Sequence, residues 1–370
     1  MAKSRLDELS KRGQSVWIDY LSRDMLEEGE LARMMREDAV VGVTSNPTIF
    51  QKAISQGDRY DDQLRELLES ETDLKEIFLQ LSARDIEAAL DLLAPVNEKT
   101  GYDGFVSWEV DPRLAYDREA TFDEAMRLHA WLDRPNLYVK IPATKPGLGA
   151  IEDSVAHGKN INVTLIFSLQ RYAEVVEAYL RGLERLVAAG GDPRNVYSVA
   201  SFFVSRVDTE ADKRLEAIGT KDALALRGKL AIANAKLAYE HYQQAFSGPR
   251  WDFLKGKGAN VQRCLWASTS TKNPAYRDVM YVEELIGPET VNTMPQETME
   301  DFQDHGEIRG DTVTKGVKKA HALFDDLANV GVDYADVTKT LELEGVQKFA
   351  DSFAELFDGI AKKRESLVPA

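Results

Sequence analysis

The 370 residues predict an α/β fold, a (β/α)8 barrel with additional helices, on two observations. Eight short runs rich in β-branched or aromatic residues recur along the chain, and helix-length amphipathic segments separate them. Polar side chains interrupt these apolar runs at comparable positions, as expected where strand ends carry a site. A doubly wound sheet is the other reading of such alternation, and the count of eight favours the barrel. No low-complexity stretch, Pro/Ser-rich linker or internal repeat divides the sequence. The expectation is therefore one barrel domain over residues 1–370, including an N-terminal helix and C-terminal helices.

The predicted strands are 15–21 (SVWIDYL), 40–44 (VVGVT), 104–110 (GFVSWEV) and 137–143 (LYVKIPA), followed by 161–167 (INVTLIF), 196–203 (VYSVASFF), 261–268 (VQRCLWAS) and 291–294 (VNTM). Between them, 121–124 (TFDE) has capping-box spacing ahead of Met126 and Leu128. Ser168 is placed to cap a helix bearing Tyr172, Val176, Tyr179, Leu183 and Leu186, which Gly190-Gly191 ends. Leu226, Leu230, Ala233 and Leu237 mark another apolar stripe inside the long segment between strands six and seven. Gly147-Leu-Gly149 lacks the third small residue of a dinucleotide fingerprint and reads as a turn, as does Asn46-Pro47. Trp17 and Trp108 read as packing residues, and 61–76 as a solvated helix face.

Composition narrows the function. Hydrophobic residues make up 44%, and no run reaches the ~18 to 20 apolar residues of a membrane span. Sixty-two acidic against 46 basic residues give a net charge of −16, which argues against nucleic acid as a partner. An anionic small substrate would need local cations that outweigh this field. Cys264, the one cysteine, excludes an internal disulfide framework. The opening MAKSRLDELSKRG lacks the apolar core of a secretory signal, so a cytoplasmic location is expected. The five histidines lie far apart with no H-E-x-x-H, and no Walker A or G-x-S-x-G spacing occurs; no metal and no cofactor are expected.

The two-residue period of a strand puts Tyr138 and Lys140 on one face of the fourth strand. It does the same for Asn162 and Thr164 on the fifth, for Phe105, Ser107 and Glu109 on the third, and for Trp17 and Asp19 on the first. Lys140 is the residue that draws notice. An inward lysine loses hydration, which favours the neutral amine that attacks a carbonyl to form an imine. The other reading is a strand-end lysine that reaches water or pairs with Glu109 or Asp19. Those carboxylates can move the protons imine chemistry needs, with Thr164 orienting a water, or can be ordinary ion-pair partners. Arg206, just after strand six, suits bidentate contact with a phosphate, and a surface salt bridge explains it equally well.

Several segments together resemble the transaldolases: 44–50 (TSNPTIF), 106–113 (VSWEVDPR), 137–143 (LYVKIPA), 161–168 (INVTLIFS) and 201–206 (SFFVSR). They run in family order over most of the chain, and residues 266–274 (WASTSTKNP) are similar to the longer bacterial form. The resemblance implies a metal-free enzyme of the pentose phosphate pathway. It would move a dihydroxyacetone unit from sedoheptulose 7-phosphate to glyceraldehyde 3-phosphate. By motif, Lys140 would form the Schiff base, Glu109 and Thr164 would activate the relaying water, and Asp19 would serve carbon–carbon cleavage. Asn46 and Asn162 would bind the dihydroxyacetone hydroxyls beside Ser201, and Arg206 the phosphate. Phe203 stands where related single-substrate aldolases carry a tyrosine, which favours transfer over simple cleavage. One departure concerns the second phosphate-binding arginine of the family, two residues after the serine matching Ser268. This chain has Ser270 there, so Lys272 or Ser268 would take the role. The resemblance allows a homodimer. Two alternatives stay open: an aldolase that cleaves fructose 6-phosphate without an acceptor, and a catalytically dead barrel that senses sugar phosphates.

Overall fold

Eight parallel strands close on themselves in sequence order in the computed structural model, which describes residues 4–367. They are β1 (Gln14–Ile18), β2 (Val40–Thr44), β3 (Phe105–Glu109), β4 (Leu137–Pro142), β5 (Ile161–Ile166), β6 (Ser198–Phe203), β7 (Gln262–Ala267) and β8 (Thr290–Met294). All eight predicted strands are present, and β1 pairs with β8 to close the ring. The first strand ends at Ile18, three residues earlier than its sequence pattern, so Asp19 lies just past the strand with its N–H bonded to the Met294 carbonyl.

The strands are buried on both faces, as parallel strands under a helical jacket must be. Inside the barrel the Phe105 and Tyr138 rings stack at 4.2 Å, with Trp17 at 6.1 Å from Tyr138. Gly42 faces the Trp17 indole so closely that any Cβ would overlap it, which fixes glycine in β2. Trp17 and Trp108 are core residues, as expected.

Helix boundaries differ from the sequence expectation in several places, among them Asn46-Pro47, which opens a helix instead of making a turn, and 61–76, which is split between helices Asp61–Leu68 and Leu74–Thr100. Thr121 is no cap: the helix is Arg118–Leu132, its cap is Asp117 accepting from the Ala120 N–H, and the buried Thr121 hydroxyl donates to the Leu114 carbonyl. Asp117 offers a carboxylate to the exposed N–H groups one turn earlier, where the helix begins. Gly147 is not in a turn but in the first turn of helix Lys145–Ala156, where a Cβ would strike the Pro142 carbonyl oxygen. Leu226 precedes helix Leu230–Ala245 and packs, partly buried, against the hydrophobic core. Ser168 caps Leu169–Ala188 as expected, accepting from the Arg171 N–H at 3.0 Å, and Gly190 follows in the left-handed conformation. Asn46-Pro47 opens helix Pro47–Gln56 with Asn46 as its cap and Pro47 in its first turn. A 34-residue helix, Tyr334–Leu367, packs against β5 and helix Pro47–Gln56.

Candidate active site

At the C-terminal ends of the strands lies a cavity of about 380 Å³. Its lining includes Asp19, Asn46, Lys140, Thr164, Ser201, Phe203, Arg206, Ser268 and Lys272. Glu109 joins it through Lys140, because β3 and β4 pair with Glu109 opposite Lys140. Ten of the eleven sequence-derived positions thus meet at one end of the barrel, and the shared strand faces account for Asp19, Glu109, Lys140 and Thr164 among them. The eleventh, Asn162, lies opposite Lys140 on β5 but is wholly buried, its Nδ2 donating to Ser107 Oγ at 3.0 Å and its Oδ1 accepting from Ser201 Oγ at 2.7 Å.

Lys140 is 5% exposed and Glu109 8%. The ammonium donates to the Ser45 carbonyl at 3.0 Å and stands 3.6 Å from Glu109 Oε2, an ion pair without a close hydrogen bond. Glu109 Oε2 and Thr164 Oγ1 are both buried with no hydrogen-bond partner among the described residues. Two unpaired polar atoms beside a lysine are costly unless a reacting group uses them. Burial pushes the Glu109 carboxyl up to about 7, against the downward pull of Lys140. Burial likewise raises Asp19, opposed by Lys140, by the Thr44 hydroxyl donating at 2.6 Å, and by Arg206. Thr44 is held in turn by Thr293 at 2.7 Å.

The Arg206 guanidinium is half-buried over the Phe203 ring, 5.2 Å from its centroid, with no ion pair among the described residues. The salt-bridge reading of this arginine is therefore removed. Ser268 has a positive φ of 56° and shares a 3.0 Å hydrogen bond with Ser205. Lys272 is exposed and donates to Ser270 Oγ at 2.8 Å. The cavity also takes in Thr44, Thr293, Lys52 and Lys348, which the sequence reading did not single out. Thr44 lies in the 44–50 segment and was within reach; nothing in spacing marks the two lysines.

A buried lysine facing a carboxylate, beside an unpaired arginine, fits covalent carbonyl chemistry on an anionic substrate. Residues 16–360 match the family described as Transaldolase/Fructose-6-phosphate aldolase. The chain belongs to that family. It is similar to proteins called transaldolase from Parafrankia sp. (strain EAN1pec), at 54% identity over 97% of both chains, and from Acidothermus cellulolyticus, also 54% over 97% of both. A transaldolase of Thermobifida fusca is 53% identical over 97% of this chain and 98% of its own.

Proposed function

We propose that Lys140 carries the dihydroxyacetone unit as an imine while Glu109, Asp19 and Thr164 move the protons. The chain is a transaldolase, an enzyme of the pentose phosphate pathway acting on sugar phosphates; membership and the shared name of its relatives support this. The unit passes from sedoheptulose 7-phosphate to glyceraldehyde 3-phosphate, giving erythrose 4-phosphate and fructose 6-phosphate. The observation that carries the residue assignment is the buried Lys140–Glu109 pair opening into the cavity that Arg206 lines.

In this reading Lys140 gives a proton to the Glu109 carboxylate and attacks the ketose carbonyl, and Glu109, near 7, passes that proton on to the departing hydroxyl, which leaves as water. Asp19 takes the proton of the C4 hydroxyl. The C3–C4 bond breaks, its electron pair flows into the iminium to make an enamine, and the first aldose leaves. The acceptor aldehyde then adds at the enamine carbon, Asp19 returns its proton to the new alkoxide, and water, deprotonated by the Glu109 carboxylate beside Thr164, hydrolyses the new iminium to free the product and Lys140. Phe203 lines the site without a proton to give, so the enamine survives until the acceptor arrives. Arg206 and the neighbouring cations hold the phosphate, and Asn46, Ser201 and Ser268 offer polar groups to the sugar.

Borohydride reduction in the presence of fructose 6-phosphate tests it. A dihydroxyacetone adduct on the Lys140 peptide, absent in Lys140→Met, is the expected result. Folded protein that turns over but gives no adduct overturns the covalent route. Turnover of fructose 6-phosphate should also require an aldose acceptor; rapid release of free dihydroxyacetone would favour the aldolase reading instead.

A further inference from the structure

The long helix Tyr334–Leu367 spans about 51 Å at 1.5 Å per residue. It is pinned at many points across the C-terminal face of the barrel. Arg214 holds Asp336 at 2.6 Å, Arg171 holds Glu342 at 3.2 Å, and Thr48 shares a 2.7 Å hydrogen bond with Ser352. Arg113 lies over the Phe353 and Phe357 rings, and Lys363 pairs with Asp61. Between these anchors, Gly345 packs against Leu165 and Phe167, where an added Cβ would come within 3.2–3.4 Å of their side chains. Leu165 has a positive φ of 60°, at the irregularity between β5 and β6 that follows Thr164. The strand end and the helix thus meet closely, and one turn beyond Gly345 stands Lys348.

Lys348 lines the same cavity as Lys140 and Arg206, and it makes no hydrogen bond or ion pair with the described residues. Five basic side chains line that cavity, Lys52, Lys140, Arg206, Lys272 and Lys348, against Asp19 in the lining and Glu109 beside Lys140. This occurs in a chain whose net charge is −16. Like charges held together cost free energy, and a dianionic phosphate relieves it. From this placement we infer that Lys348 is a phosphate-binding and specificity-determining residue of the active site, delivered by the long helix to act with Arg206. Both lysines are exposed, and Lys272 is the weaker candidate because it sits on a loop and is already bonded to Ser270, whereas Lys348 is carried by a pinned helix and has no such partner. In accord with the geometry, Arg206 foremost, then burial, and then Lys272 and Lys52 hold the Lys348 ammonium below its ordinary range.

The inference rests on the reading of this cavity as the sugar-phosphate active site, and the test separates the two. Steady-state constants for fructose 6-phosphate and the inhibition constant of inorganic phosphate are measured for the wild type, Lys348→Met and Lys348→Arg. Lys339→Met, on the same helix but outside the cavity lining, is the control. Lys348→Met should raise KM and the phosphate inhibition constant about ten- to hundredfold, the worth of a charged hydrogen bond, with kcat within about twofold. Lys348→Arg should restore most of both, and Lys339→Met should change neither. Unchanged constants in Lys348→Met, or a fall in kcat alone, overturn the role of Lys348. Borohydride trapping of the same proteins tells the cases apart: an adduct in the wild type with unchanged constants in Lys348→Met rejects only Lys348. Absence of the adduct in the wild type rejects the reading of the site and this inference with it.

Discussion

Glu109 shows how one residue trades stability for chemistry. Its carboxyl sits near 7 in the fold because burial disfavours the anion more than Lys140 supports it. With the folded value above the ordinary value of 4.5, its contribution to stability is full below that value and is lost as pH rises through 7. Activity should run the other way where the carboxylate is needed, rising through a limb near 7. Glu109→Gln should abolish that limb, lower kcat by about 10²–10³-fold and flatten the fall in melting temperature between pH 4.5 and 7. pH–rate profiles and thermal melts check the three effects, and a retained limb would remove Glu109 as its source. This residue was legible in the sequence because a carboxylate interrupts an apolar strand on the same face as Ser107. Lys140 was legible for the same reason. Asn162 obeys the face rule too and lies level with Lys140, yet the rule says nothing of hydrogen-bond partners, and its side chain is spent on Ser107 and Ser201.

Among the elements, strands were easier to find than helix starts. A parallel strand covered on both sides must be apolar throughout, so its ends stand out. A helix start depends on which of several nearby oxygens reaches an N–H group. Thr121 has the spacing of a cap, but Asp117 lies where the chain turns, and the threonine hydroxyl goes to Leu114 instead. Ser168 has no such rival. Ser168→Ala should cost about 1 kcal/mol, the usual worth of an N-cap, in urea unfolding with an unchanged m-value, while kcat stays put. A loss well under 0.5 kcal/mol would mean that water replaces the cap. Lys348 escaped notice because a lysine on an amphipathic helix has no sequence mark separating it from Lys339. Only the seating of Gly345 on Leu165 and Phe167 brings it to the cavity.

Over the whole molecule, the acidic total and the basic cavity act at different ranges. At an ionic strength near 0.1 M the screening length is about 10 Å, so distant acidic groups are already muted while the cavity cations still act on a bound phosphate. Raising the salt to about 1 M shortens that length to about 3 Å. The KM for fructose 6-phosphate should then climb several-fold with kcat little changed, whereas a flat KM across chloride concentrations would show that directional hydrogen bonds, rather than charge, hold the substrate. The same distribution makes the sign of the net charge a poor guide to the substrate, because five cations line the cavity of a chain whose net charge is −16. The closure of β1 on β8 has a consequence in time. Gln14 and Thr290 are 276 positions apart, and the Asp19 N–H is held by the Met294 carbonyl at the same seam. A refolding chain must search that long loop before the seam forms, among the slowest contacts for a chain to make. Asp19 therefore reaches its place only when the ring shuts, and under the proposed mechanism regained turnover would report the completion of folding rather than its onset.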